Sequence, residues 1–165
     1  MIAEEIIKKL ELKPHPEGGF YKEIYKSRDF IEPNCLDNKF NDKRRFSTSI
    51  YYLLQAGDFS AFHKIKSDEV WHYYAGGDII LHLLDQQKGY QTKILSNELT
   101  GNGSFQVIVP ANVWFAAEPS KGSPFTLAGC TVSPGFDFND FELAHKKQLL
   151  KQFPLHADLV NRFCK

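Results

Sequence analysis

The chain has 165 residues, 42% of them hydrophobic and 14% aromatic, and its 20 Lys and Arg balance 20 Asp and Glu. A chain of this length fits one domain with a sizeable core, and zero net charge gives no global drive toward nucleic acid or an anionic membrane. Cys35, Cys130 and Cys164 are odd in number and form no Cys-x-x-Cys, which argues against a disulfide framework or a zinc ribbon and for a reduced, cytoplasmic setting. No apolar run reaches the roughly 18 residues of a membrane span, and the charged first ten residues lack the apolar centre of a signal peptide.

Ile2, Ile6, Ile7 and Leu10 recur at helical spacing and predict a short amphipathic helix, stopped by Pro14 and Pro16. His15-Pro-Glu-Gly-Gly19 follows as loop, residues 20–25 as a strand, and 28–44, with Pro33 and many charges, as a long surface loop. Then come eight short strand-like runs, at 47–54, 59–65, 69–74, 79–84, 90–95, 105–109, 113–117 and 125–132, separated by turn-forming residues. Such regular spacing predicts an all-β sandwich or barrel. Asn139 and Glu142 have the spacing of a capping box, predicting a helix over 138–151, and 157–163 predicts a last short helix.

The richest stretch for chemistry is 57–76. Alternation along a strand puts Phe59, Ala61, His63 and Ile65 on one face. If the next strand returns as a hairpin, Glu69 meets His63 on that face. A buried imidazole and carboxylate can exchange protons with a ligand or supply two ligands to a metal; the plainer alternative is a structural hydrogen-bonded pair.

Gly57, His63, Glu69 and Gly76 are spaced as in the first motif of the cupin superfamily, with Ile65 in place of the second histidine of its His-x-His step. In the region resembling the second motif, Gly103 to Glu118, Pro110 stands one residue late, Asn112 replaces a glycine and Trp114 stands where the third metal histidine would be. The resemblance thus leaves His63 and Glu69 of the usual four metal ligands. Zinc or iron usually has three or four, so no cofactor is expected; a divalent metal would need help from His15 or His72. More closely, the chain resembles the single-domain, domain-of-unknown-function cupins of the fifth cupin family. The likeness is carried over nearly the full length by Leu12-Lys-Pro-His15-Pro-Glu17-Gly18-Gly19-Phe-Tyr21, the segments 47–54, 62–72 and 109–114, and Gly129 to Leu143. It implies a single cupin domain over 1–165, a double-stranded β-helix (jelly-roll barrel) with short helices at both termini, a homodimer, and a ligand pocket in the barrel mouth. It brings no established reaction.

Within that frame His15, Glu17, Gly18, Gly19 and Tyr21 are expected at the pocket rim, the alternative for 15–19 being a tight turn with a surface carboxylate. Glu23 has the parity of Tyr21 but is taken as a surface residue. Trp71 and Trp114 are candidates to stack on a planar or sugar-like ligand, with core filling as the alternative. Tyr51 and Tyr73 are candidate acids. Arg44 and Arg45 read as a solvated strand start, with a reach to an anionic group such as phosphate or carboxylate as the alternative, Cys130 as inert core, His145 and His156 as surface, and His82 is open.

Three functions compete: a metal-independent epimerase or isomerase with His63 as base and Glu69 orienting it, of the kind some metal-free cupins perform on nucleotide-linked keto sugars; a non-catalytic binding protein; and a residual metal-dependent dioxygenase or isomerase. The first is preferred, with a sugar or nucleotide-sugar type ligand, although no basic cluster for a diphosphate is evident. Small molecules, not nucleic acid or membrane, are the expected partners.

Overall fold

Period-two alternation organises the residues that this computed structural model describes, 2–99 and 101–165. The elements are α1 (Ala3–Leu10), β1 (Lys13–Pro14), β2 (Phe20–Lys26), β3 (Phe30–Ile31), β4 (Arg44–Arg45), β5 (Thr48–Gln55), β6 (Ser60–Lys64), β7 (Asp68–Gly76) and β8 (Ile79–Asp85). They continue as β9 (Gly89–Leu95), β10 (Gly103–Ser104), β11 (Gln106–Val109), β12 (Trp114–Pro119), β13 (Phe125–Ser133), β14 (Glu142–Leu143), α2 (Lys146–Gln152) and α3 (Ala157–Phe163).

Two six-stranded sheets result, ordered β1-β2-β5-β13-β7-β11 and β10-β9-β8-β12-β6-β14, beside a small β3-β4 ribbon. Their inner faces enclose a core that includes Tyr52, Leu54, Trp71, Leu83, Phe115 and Cys130. This is the expected all-β jelly roll. Adjacent residues on a strand serve opposite layers. Leu54 enters the barrel while Leu53 packs with Ile6 of α1 on the outside of the first sheet. Phe62 likewise points out of the second sheet into a cluster with Leu149, Val160 and Phe163 of the C-terminal helices, so both terminal segments seal an outer face. Among the described residues no helix is long and apolar enough to cross a membrane.

Three local expectations change. β6 and β7 are not a hairpin: they lie in opposite sheets, and the short link between them crosses the barrel wall. The 28–44 region is not all surface loop. It holds β3, a 3-10 turn at Pro33–Cys35 and Arg44, whose guanidinium is buried and donates from Nε and Nη2 to Asp140 at 2.6 and 2.7 Å. The solvated strand start is thereby corrected to a bidentate ion pair. The helix expected over 138–151 begins only at Lys146. The Asp137 carboxylate accepts the Asn139 N–H and nucleates a 3-10 turn at Phe138–Asp140, after which β14 adds to the free edge of β6, Leu143 opposite His63. Pairing with an open strand edge outweighs a local capping pattern.

Candidate functional site

His63 and Glu17 are brought together by the turn before β2. Gly18 and Gly19 have φ of +125° and +66°, conformations that a side chain would resist. The turn closes through Gly18 N–H to the His15 carbonyl and His15 N–H to the Gly19 carbonyl, each 3.0 Å. It is pinned to β6 by the Ala61 N–H, which donates to the Glu17 carbonyl at 2.9 Å, and to β5 by the Tyr52 hydroxyl, which donates to the Gly18 carbonyl at 2.7 Å. The Glu17 side chain is thereby driven inward and is only 5% exposed. Its Oε1 accepts the Ser60 hydroxyl at 2.9 Å, and its Oε2 lies 3.1 Å from His63 Nε2.

The tautomer of His63 follows from its other nitrogen. Nδ1 is 2.8 Å from the Ala61 carbonyl oxygen, which can only accept, so Nδ1 carries a proton. Nε2 is thereby the ring nitrogen that faces Glu17 Oε2. His15 Nδ1 lies 3.5 Å from the same Oε2. Burial, opposed by the charge of Glu17 and aided by those of His63 and Lys165, holds the His15 pKa below its ordinary value of 6.5 and favours the neutral ring.

These groups face a cavity of about 220 Å³ between the sheets. Tyr21, Tyr52, Trp71, Phe136, Phe138 and Phe141 give it aromatic walls, and no lysine or arginine lines it. Glu69 enters from β7, on the sheet opposite β6. Burial first, then the charge of Glu17, raises its carboxyl pKa from 4.5 to about 8, with the Cys130 thiol and the Trp71 indole acting in the other direction. The Trp71 N–H is thus close enough to act on that carboxyl, yet it is buried and makes no hydrogen bond of good geometry. Burial also pushes the Cys130 thiol pKa well up.

Of the residues singled out from sequence, His15, Glu17, Tyr21, His63, Glu69 and Trp71 line the cavity. Gly18 and Gly19 shape the turn without lining it. Tyr51 points outward, edge to face with Tyr74 at 5.8 Å between ring centroids; its neighbour Tyr52 takes the inward place. The Tyr73 hydroxyl donates to the Gly76 carbonyl, away from the cavity. Trp114 packs outside the barrel among the C-terminal helices, under the Lys64 ammonium, with its N–H on Gln152 at 3.3 Å. His63 pairs with Glu17 rather than Glu69, because β6 and β7 are in opposite sheets. His82 lies outside the barrel between Tyr90 and Glu118, and His72 sits on Thr131 at 3.1 Å.

Glu23 is exposed, as expected, yet also borders the cavity, and Thr48, Ile50, Phe136, Phe138 and Phe141 were not anticipated in the lining. For β5 the parity of Thr48, Ile50 and Tyr52 was the available signal. Among the described residues no three His, Cys, Asp or Glu side chains are grouped as a metal would require. Glu17 commits both oxygens to Ser60 and His63, Ile65 is apolar and Trp114 lies outside, so this donor set does not fit a divalent metal.

The two-sheet barrel, with chemistry-bearing side chains from both sheets converging on an internal cavity, defines a cupin-type barrel. Residues 4–144 match the family model described as Cupin superfamily (DUF985), and the chain belongs to that family. A protein of Shewanella oneidensis is 34% identical over 100% of this chain and 98% of its own, with a TM-score of 0.89. A hypothetical protein from Leishmania major is 30% identical over 99% of both chains, with a TM-score of 0.88. Oxalate decarboxylase from Bacillus subtilis, at 12% identity and a TM-score of 0.54 over 91% of this chain and 36% of its own, shares the fold. No curated protein matches the chain.

Proposed function

We propose that this cupin binds a small, uncharged metabolite of sugar type inside the barrel and moves a proton on it, with the His63–Glu17 pair as the base. The observation that carries the reading is that pair: an imidazole fixed as the Nδ1–H tautomer, 3.1 Å from a buried carboxylate, at an aromatic cavity. A proton removed from a ligand would be held between Nε2 and Oε2. His63 acts as base, Glu17 orients and supports it, and the neighbouring aromatic rings offer stacking faces for the apolar side of a sugar ring.

The lining also bears on ligand charge. Carboxyls at Glu17, Glu23 and Glu69 with no lysine or arginine favour a neutral sugar over its diphosphate-linked form. The volume of about 220 Å³ lies below the roughly 300–1,000 Å³ of drug-sized sites, which suits a single ring. The donor set supports metal-independent chemistry. The homodimer implied by the family likeness is part of the proposal and is checked by sedimentation velocity.

The test is a thermal-shift screen of neutral aldoses and ketoses beside their phosphate esters. The reading expects neutral members to raise the melting temperature and the esters not to. Stabilisation by the esters alone would overturn it. Binding without any proton exchange would leave a binding protein.

A further inference from the structure

We propose that Glu69 and Trp71, two residues apart on the inner face of β7, form a paired donor site for a ligand oxygen that gains negative charge, facing the His63–Glu17 pair across the cavity. The inference rests on the acid–base reading above and adds the acceptor side of the reaction, and with it the substrate class: a neutral carbonyl compound carrying a C–H next to the C=O.

Three observations converge. Both side chains line the cavity and come from the sheet opposite β6, so a ligand seated between the sheets meets the base on one side and β7 on the other. The Trp71 indole N–H is buried and makes no hydrogen bond of good geometry, although it lies near the Glu69 carboxyl. A buried donor left unmatched is costly, and such atoms in native proteins call for an explanation; a ligand oxygen supplies one. Glu69 lies within reach of that indole, and with its pKa raised to about 8 it is a carboxylic acid at neutral pH and can donate its proton in a hydrogen bond. Two carboxyls in one cavity thus take different places, Glu17 beside the His63 imidazole and Glu69 beside the Trp71 indole.

The step balances within the site. The proton of the C–H bond passes to the His63–Glu17 pair. The electron pair it leaves forms a C=C bond, and the carbonyl π pair moves onto oxygen. The oxyanion accepts hydrogen bonds from Glu69 O–H and Trp71 N–H, with no proton lost from either. Return of a proton to carbon restores the carbonyl. Donors already aimed at the place where charge develops stabilise it without reorganisation.

The probe is 4-nitrophenol, whose phenolate oxygen imitates the oxyanion and whose absorption reports ionisation. At pH 7 the wild type is expected to bind it as the phenolate. Glu69→Leu, which removes the donor, and Trp71→Phe are each expected to bind it about tenfold to a hundredfold more weakly, the range for a hydrogen bond to a charged acceptor. Thermal unfolding of both variants verifies that they are folded, and Glu69→Leu, which replaces the carboxyl by an apolar side chain, carries the test if Trp71→Phe does not fold. No binding by the wild type, or equal affinity in the folded variants, overturns the proposal. Phenolate binding that depends on Glu69 and Trp71, together with failure of every neutral sugar, would instead retain the donor pair and remove the sugar reading.

Discussion

His63 Nε2 and Glu17 Oε2 are 3.1 Å apart although 46 residues separate them in sequence. The contact exists because the Ala61 N–H holds the Glu17 carbonyl while the Ala61 carbonyl holds His63 Nδ1. One residue of β6 thus fixes both members of the pair, so backbone geometry sets their distance and the imidazole tautomer together.

Replacing Glu17 by Gln should leave that tautomer in place, since the Ala61 carbonyl still demands a proton on Nδ1. It should remove the carboxylate that supports a proton on Nε2. Proton-transfer activity is expected to fall about 10²–10⁴-fold, the usual contribution of positioned acid–base groups. Nitrogen-15 NMR of the His63 ring checks the tautomer independently of turnover.

Glu69 predicts a pH dependence of stability. Its folded pKa of about 8 lies above the ordinary 4.5, so between these values the folded state holds the proton and the unfolded state releases it. Stability should therefore fall as pH rises through this window, by at most about 1.4 kcal/mol per pH unit from this group, and level off above about pH 8. Glu69→Gln should remove this part of the slope and match or exceed the wild type at pH 9. Urea unfolding at several pH values checks it; identical slopes in both proteins would contradict the assignment.

Arg44 and Asp140 join the 28–44 region to the turn that carries Phe138 and Phe141, both cavity-lining rings. Arg44→Met leaves the Asp140 carboxylate buried with only the more distant Lys66, at 3.3 Å. The expected loss is about 3–5 kcal/mol of unfolding free energy, with weaker ligand binding because the aromatic wall loses its anchor. Denaturant unfolding and ligand titration read the two effects separately.

Gly18 and Gly57 offer a matched pair. Both have positive φ, but a Cβ at Gly18 would stand 2.1 Å from the Phe59 carbonyl oxygen, whereas at Gly57 nothing lies within 4 Å. Gly57→Ala should cost only backbone strain, about 1–2 kcal/mol. Gly18→Ala should cost more and displace Glu17, giving a lower melting temperature and weaker ligand binding.

The barrel strands were readable because each buries one face and turn residues punctuate them; α3 at Ala157–Phe163 matches its expected span for similar reasons. Asn112, which stands in place of a glycine of the cupin pattern, adopts the left-handed conformation, with φ of +62°. Ambiguity entered where adjacent residues are chemically alike. In Tyr51-Tyr52 and Leu53-Leu54 either parity satisfies alternation, and only the packing of α1 on Leu53 settles which tyrosine faces inward. Which carboxylate meets His63 was beyond a local reading, since it depends on β6 and β7 joining different sheets. The misplaced helix at 138–145 has the same origin: β14 forms because a partner edge distant in sequence is open.

The most direct test of the central claim is solvent hydrogen exchange. Wild type and Glu17→Gln would be incubated in D2O with neutral hydroxyketones and followed by proton NMR. The account predicts loss of the signal of the C–H next to the carbonyl with wild type, and a rate lower by about 10²-fold or more with Glu17→Gln. Equal exchange by the two proteins, or no exchange by wild type with any member that binds, would contradict the assignment of the His63–Glu17 pair as a base.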